Sequence, residues 1–160
     1  MHATMAKRIQ TTVLSSLLCL LLAGCGSDTV YSRFADVPAG GWDKDSVYAF
    51  DYPIADSTAC YQILLYVRHT EVYPYQNMWL FVGDGNRQDT IEFYLANDRG
   101  EWLGNGKSGI IEMPVLYEER VRFEHGGEHR ITLQHGMREE HLKGIASVGV
   151  EIIRNDEFRN

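Results

Sequence analysis

A thiol stands at position 25, directly behind Leu22-Ala23-Gly24. That string closes an apolar run from Val13 to Leu22 broken only by Ser15 and Ser16, with Lys7 and Arg8 ahead of it and no acid before Asp28. A positive start, a short greasy segment and small residues before a cut site form the pattern of an export signal. The apolar part is about ten residues, against the roughly 20 that a spanning helix needs. Two reactions are open to such a position: alkylation of the thiol, and acylation of the amine freed by cleavage before it.

Leu22-Ala23-Gly24-Cys25 resembles the bacterial lipobox, in which the thiol takes a diacylglycerol and the new amine an acyl chain. Each buried methylene adds about 0.8 kcal/mol, so one chain holds marginally and two or more hold firmly. Residues 1–24 are therefore expected to be a cleaved lipoprotein signal peptide. The lipid on Cys25 is the expected covalent group, with no dissociable cofactor. Without Lys7 and Arg8, the remaining 136 residues carry 13 basic against 22 acidic side chains, a formal −9. That balance speaks against nucleic acid, which rewards basic stripes, and against adhesion of the protein surface itself to anionic headgroups. The lipid must do the anchoring.

Other residue types that carry chemistry fail on spacing. Cys60 is alone once Cys19 leaves and Cys25 is alkylated, so it reads as a small buried apolar residue. His129 and His135 lie six residues apart on one strand face, about 20 Å, too far to share a metal. His125 and Glu128 offer two ligands on a solvated tip, and His69 and His141 stand apart in sequence, so no metal site is expected. No serine sits in a Gly-x-Ser-x-Gly elbow. Glu118-Glu119 and Glu139-Glu140 are adjacent acids on polar stretches and read as solvated faces. Gly104-Asn105-Gly106-Lys107-Ser108-Gly109 has the letters of a dinucleotide fingerprint, but Ile110-Ile111-Glu112-Met113-Pro114 cannot open the helix that motif needs. A P-loop would need glycine at 101, where Glu101 stands. A glycine loop between strands is the expectation, without nucleotide binding and without catalysis.

Flat aromatic rings remain. Tyr73 and Tyr75, with Trp42 and Trp102, are the candidate binding surface, able to stack on sugars or grip another protein. The competing reading is that they cap the ends of the core.

The elements that would carry these residues are strands. Val47–Tyr52 makes a first one, ended by Pro53. Tyr61–Arg68 alternates with a period of two and a partly apolar second face, as in a central strand. Met78–Val82 and Thr90–Leu95 are joined by Gly83-Asp84-Gly85-Asn86, a turn signal. Val121–Phe123 and His129–Leu133 read as a hairpin closed by His125-Gly126-Gly127, with Phe123 opposite His129, Val121 opposite Ile131 and Gly127 left-handed. A single helical turn is expected at Met137–Leu142, then a last strand at Val148–Ile153. Seven or eight short strands imply an all-β antiparallel sandwich, jelly-roll-like, over residues 36–156, with a tether at 25–35 and a tail at 157–160.

Arg68 with Tyr73-Pro74-Tyr75-x-Asn77, Trp79-Leu80-Phe81 and Asp89-Thr90-Ile91-Glu92-Phe93 resembles the gliding motility-associated lipoprotein GldH family of Bacteroidetes. So do Gly100-x-Trp102-Leu103-Gly104-x-Gly106, Gln134-His135-Gly136-Met137-Arg138 and Leu142-x-Gly144-Ile145-x-x-Val148-Gly149. The likeness runs from about Trp42 to Ile153. It implies an envelope lipoprotein, expected in the outer membrane and facing the periplasm. It also implies partners among envelope motility and secretion proteins, and no catalytic residues to carry over. The alternative from the residues is a surface or periplasmic carbohydrate-binding module. Cys25→Ala is expected to abolish both anchoring and processing; unchanged membrane fractionation and size would contradict the lipidation.

Overall fold

The computed structural model describes residues 28–155. Its organising element is the alternation at Tyr61–Thr70, where Tyr61, Ile63, Leu65, Val67 and His69 are buried and their neighbours half-buried. Alternation with a period of two puts one whole side of an extended chain into a core. Full burial of each Leu or Val side chain contributes roughly 1.5–3 kcal/mol.

Eleven extended elements follow one another: β1 (Thr29–Asp36), β2 (Trp42–Asp43), β3 (Tyr48–Ile54), β4 (Tyr61–Thr70), β5 (Asn77–Gly83), β6 (Gln88–Tyr94), β7 (Asn105–Lys107), β8 (Ile110–Val121), β9 (Gly127–His135), β10 (His141–Leu142) and β11 (Ile145–Arg154). They pair as a five-stranded sheet, β1-β11-β4-β8-β7, and a four-stranded sheet, β3-β9-β5-β6, with β2 and β10 forming a small bridge. All pairings are antiparallel. The inner faces meet in one core that draws Val148, Val150 and Ile152 from β11 and Leu80, Val82, Ile131 and Leu133 from the facing sheet. The expected all-β antiparallel sandwich is the fold, and β4 is central in it.

The expected signal peptide, Cys25 and the tail 157–160 lie outside the described residues. Several other expectations are corrected. The tether expected at 25–35 is strand from Thr29 onward, because Tyr31 and Ala35 pack against the core while Phe34 covers the outer face of Gly149. Phe34 lies where a Cβ on Gly149 would come within 2.5 Å of its ring, so only glycine admits this pairing. Pro53 does not end β3, which runs on to Ile54. As an edge strand, β3 tolerates a residue without an N–H. Pro114 likewise sits inside β8, beyond the reach of the three-residue β7, where β8 is an open edge. No helical turn forms at Met137–Leu142, whose last two residues instead bridge Trp42-Asp43.

The hairpin expected at Val121–Leu133 is also absent. β8 belongs to one sheet and β9 to the other, so the chain turns a corner between layers. Phe123 and His129 still meet, with rings 4.6 Å apart, by facing across the sandwich. Gly127 has the expected positive φ, 117°.

The glycine-rich string at 104–109 is a hairpin between β7 and β8. Ser108 (φ 55°) and Gly109 (φ 80°) supply the two left-handed residues of a type I′ turn. Gly144 carries a tighter constraint: at φ 85°, an added Cβ would lie 2.3 Å from the Tyr73 nitrogen. Gly144→Ala is expected to cost at least about 3 kcal/mol, and Gly109→Ala, which meets nothing within 4 Å, about 1 kcal/mol. Urea unfolding of the two variants checks the difference; equal losses would contradict it.

Candidate functional site

The four aromatics singled out from the sequence separate in the structure. Trp42 is fully buried, its indole N–H donating to the Ser46 carbonyl at 3.0 Å and its ring set edge-on to Tyr48 (5.2 Å) and His135 (5.4 Å). Tyr73 is buried too, and its hydroxyl donates to the Asn77 carbonyl at 2.8 Å. Burial pushes its phenol pKa up. These two rings are core and cannot stack on a ligand. Trp102 is half-buried, 4.7 Å from His69 and 6.5 Å from Tyr73. Tyr75 is half-buried and donates its hydroxyl to Glu139. Tyr73, Tyr75 and Trp102 therefore share one cluster and Trp42 belongs to another.

Two histidines hold these clusters together. His69 is fully buried, with Nδ1 donating to the Thr70 carbonyl at 3.2 Å and Nε2 without a partner among the described residues. His135 is 2% exposed; its Nε2 donates to the Trp42 carbonyl at 3.0 Å and its Nδ1 has no partner among the described residues. Removal from water disfavours the charged ring, so both pKa values fall below the ordinary 6.5. Each imidazole stays neutral and donates one hydrogen bond.

On the outer face of the four-stranded sheet the aromatics are open. Asn77 and Trp79 of β5 stand opposite Tyr94 and Glu92 of β6. Trp79 is 38% and Tyr94 57% exposed, on one diagonal of this square. On the other, the Asn77 side-chain amide donates to Glu92 at 2.6 Å. The Gly136-Met137 segment is fastened over the strand: the Gly136 N–H donates to the Trp79 carbonyl at 2.7 Å, and the Trp79 N–H points at the Met137 sulfur at 3.4 Å. A cleft of about 280 Å³ results, lined by Tyr75, Asn77, Trp79, Gly136, Met137 and Arg138. Of the expected binding residues, Tyr75 alone reaches it. Trp79 was hidden in Met78–Val82, where both faces are apolar and alternation is silent.

At the opposite end the sheets part around a second cleft of about 230 Å³. Tyr52, Phe123, His125 and His129 line it, with Arg122 and Arg130. His125 stacks on His129 at 4.9 Å, and its Nδ1 lies 3.0 Å from the Gly126 carbonyl. Beside the cleft, Arg87 bridges Asp89 (3.0 Å) and Glu118, and the Tyr117 hydroxyl donates to Asp89 at 2.5 Å, pinning β6 to β8. Burial, then the bond to Asp89, raises the Tyr117 phenol to about 12. Of the adjacent acid pairs, Glu139 accepts from Tyr75 while Glu140 holds Lys44. Among the described residues no group of three or more His, Cys, Asp or Glu is placed to hold a metal.

The family model described as GldH lipoprotein matches residues 29–152. The chain belongs to the GldH lipoprotein family. The Gliding motility lipoprotein GldH of Flavobacterium johnsoniae is 32% identical over 161 residues, covering 93% of this chain and 99% of that protein. The Gliding motility lipoprotein GldH homolog of Christiangramia forsetii is 30% identical over 149 residues, 86% of this chain and 91% of that one. Among solved structures, dimeric latent PorU of Porphyromonas gingivalis superposes with a TM-score of 0.38 at 8% identity, over 82% of this chain and 14% of its own. At that score the superposition adds nothing to the GldH assignment.

The buried histidines set a pH dependence. Their folded pKa values are depressed, so the unfolded chain takes up protons first as pH falls. Stability is full above about 6.5 and declines below it, by up to about 1.4 kcal/mol per pH unit for each ring. His135→Gln is expected to flatten the fall in urea midpoint between pH 7 and pH 5; an unchanged slope would contradict it.

Proposed function

We infer that this chain is a lipid-anchored component of the cell envelope, held in the outer membrane on its periplasmic side. It acts without catalysis, by docking on other proteins of the gliding and associated secretion machinery. Membership of the GldH family supports the setting. The observation that carries the docking is Trp79, a large ring left 38% exposed on a rigid strand beside Tyr94, Met137 and the cleft that Tyr75 and Arg138 line. Tryptophan, tyrosine and arginine are the residues that most often dominate interface energies, and strands hold them in place at low entropic cost.

Three of the four adjacent acids, Glu118, Glu139 and Glu140, are taken up in structural contacts with Arg87, Tyr75 and Lys44. A second reading draws on the same square: two exposed rings with Asn77 and Glu92 between them also suit the apolar face and hydroxyls of a pyranose.

Trp79→Ala is expected to weaken recovery of envelope partners from detergent-solubilised membranes at least tenfold, matching a loss of about 2 kcal/mol, with the thermal melt unchanged. Equal recovery by both proteins would remove the docking role. A Trp79-dependent fluorescence change with a glycan panel, without partner loss, would favour the pyranose reading instead.

A further inference from the structure

The distance from Cys25 to the first strand fixes which end of the sandwich the membrane meets. Three residues, Gly26, Ser27 and Asp28, separate Cys25 from Thr29. A fully extended chain advances about 3.6 Å per residue, so Asp28 lies within roughly 11 Å of the lipidated residue. Asp28 itself is fixed: its carbonyl accepts from the Arg154 N–H at 2.8 Å. Arg154 pairs with Tyr61, and Tyr61 with Val121, so the start of β1, the end of β11, the start of β4 and the end of β8 lie at one level. The Asp56–Cys60 loop joins them through the Arg154–Asp56 ion pair (3.1 Å) and the bond from the Asn155 N–H to the Cys60 carbonyl (2.8 Å). So does the Phe123–Gly127 corner, through the Phe123–Tyr61 ring contact at 5.5 Å. The far end of β4 is ten residues away, about 30 Å.

Tyr73, Tyr75 and Trp102 sit at that far end beside His69, and so does Trp42, bridged to Leu142. Asn77 and Tyr94, which flank Trp79, pair at the same level. The near end holds arginines instead: Arg120, Arg122 and Arg154 stand at the strand ends, with Arg87 and Arg130 along the cleft. Asp56, Asp84, Glu118, Glu124 and Glu128 stand among them. Arg154, Arg87 and Arg130 hold Asp56, Asp89 and Asp51 respectively. Arg122 is exposed and has no carboxylate partner among the described residues.

We propose that this end, the Asp56–Cys60 loop with the Arg122–Gly127 corner and its cleft, rests on the lipid headgroups, while the Trp79 face is held away from the bilayer. The inference depends on Cys25 carrying the lipid, as in the function inferred above. Its occupant is a lipid surface, chosen by the length of chain between anchor and strand. All three tryptophans then stand clear of the membrane, at the end where a partner can reach them.

Full-length lipidated protein in phosphatidylcholine vesicles carrying a headgroup nitroxide tests this, because the nitroxide quenches only tryptophans at the interface. Native emission is expected to change little. His125→Trp and Glu124→Trp each add emission that is quenched, whereas Val72→Trp, at the far end and 68% exposed in the unsubstituted protein, adds emission that is spared. Quenching of the position-72 probe as strong as at 124 and 125, or spared probes at all three, would overturn the orientation. Flotation of the same samples beside Cys25→Ala separates the two claims. Floating protein with the wrong quenching pattern rejects the orientation alone, and protein that floats no better than the alanine variant rejects the anchor and the orientation with it.

Discussion

Every second residue of β4 is buried against the facing sheet together with Val148, Val150 and Ile152 of β11, and the rest of the molecule follows from that interlock. With Leu65, Val67, Val148 and Val150 all fully buried, neither strand can slip by one residue without turning its apolar set to water. Register is therefore fixed at the centre, and the ends of the sandwich inherit it. The outer faces are left free to differ, since nothing in the core depends on them.

The two ends differ in chemistry. Around His69, Tyr73, Trp102, Trp42 and His135 the chain closes its core with rings, and two neutral imidazoles supply the hydrogen bonds that backbone carbonyls need there. Around Tyr52, Phe123, His125 and His129 the sheets remain parted, and the margin is charged. In the orientation proposed above, the end around Tyr52 and Phe123 is the one near the anchor and the end around His69 the one remote from it. The Trp79 and Tyr94 end of the outer face of β5 and β6 belongs to the remote half. There Trp79 and Tyr94 are left exposed.

Much of this was legible in the residues, for identifiable reasons. β4 announces itself because alternation is strong and long, and the β5–β6 hairpin because Gly83-Asp84-Gly85-Asn86 punctuates it. The corner between β8 and β9 was misread because residues facing across a sandwich share a face just as hairpin neighbours do; alternation cannot tell the two apart. Trp42 was grouped with the candidate binding aromatics, yet the two-residue bridge to Leu142 folds it inward. Trp79 went unnoticed for the opposite reason, since an apolar run gives no sign of which ring faces out. β8 was overlooked because Pro114 suggests a break, and only the shortness of β7 makes that proline harmless.

A component that works by contact through one sheet face should be touched on that face and not on the other. Photocrosslinking in growing cells, with a benzophenone side chain replacing Tyr94 or, on the outer face of the other sheet, Leu116, measures this directly; both side chains are more than half exposed. The account predicts a discrete covalent adduct with an envelope protein from position 94 and none from 116. Adducts of equal yield from both positions, or from 116 alone, would contradict it.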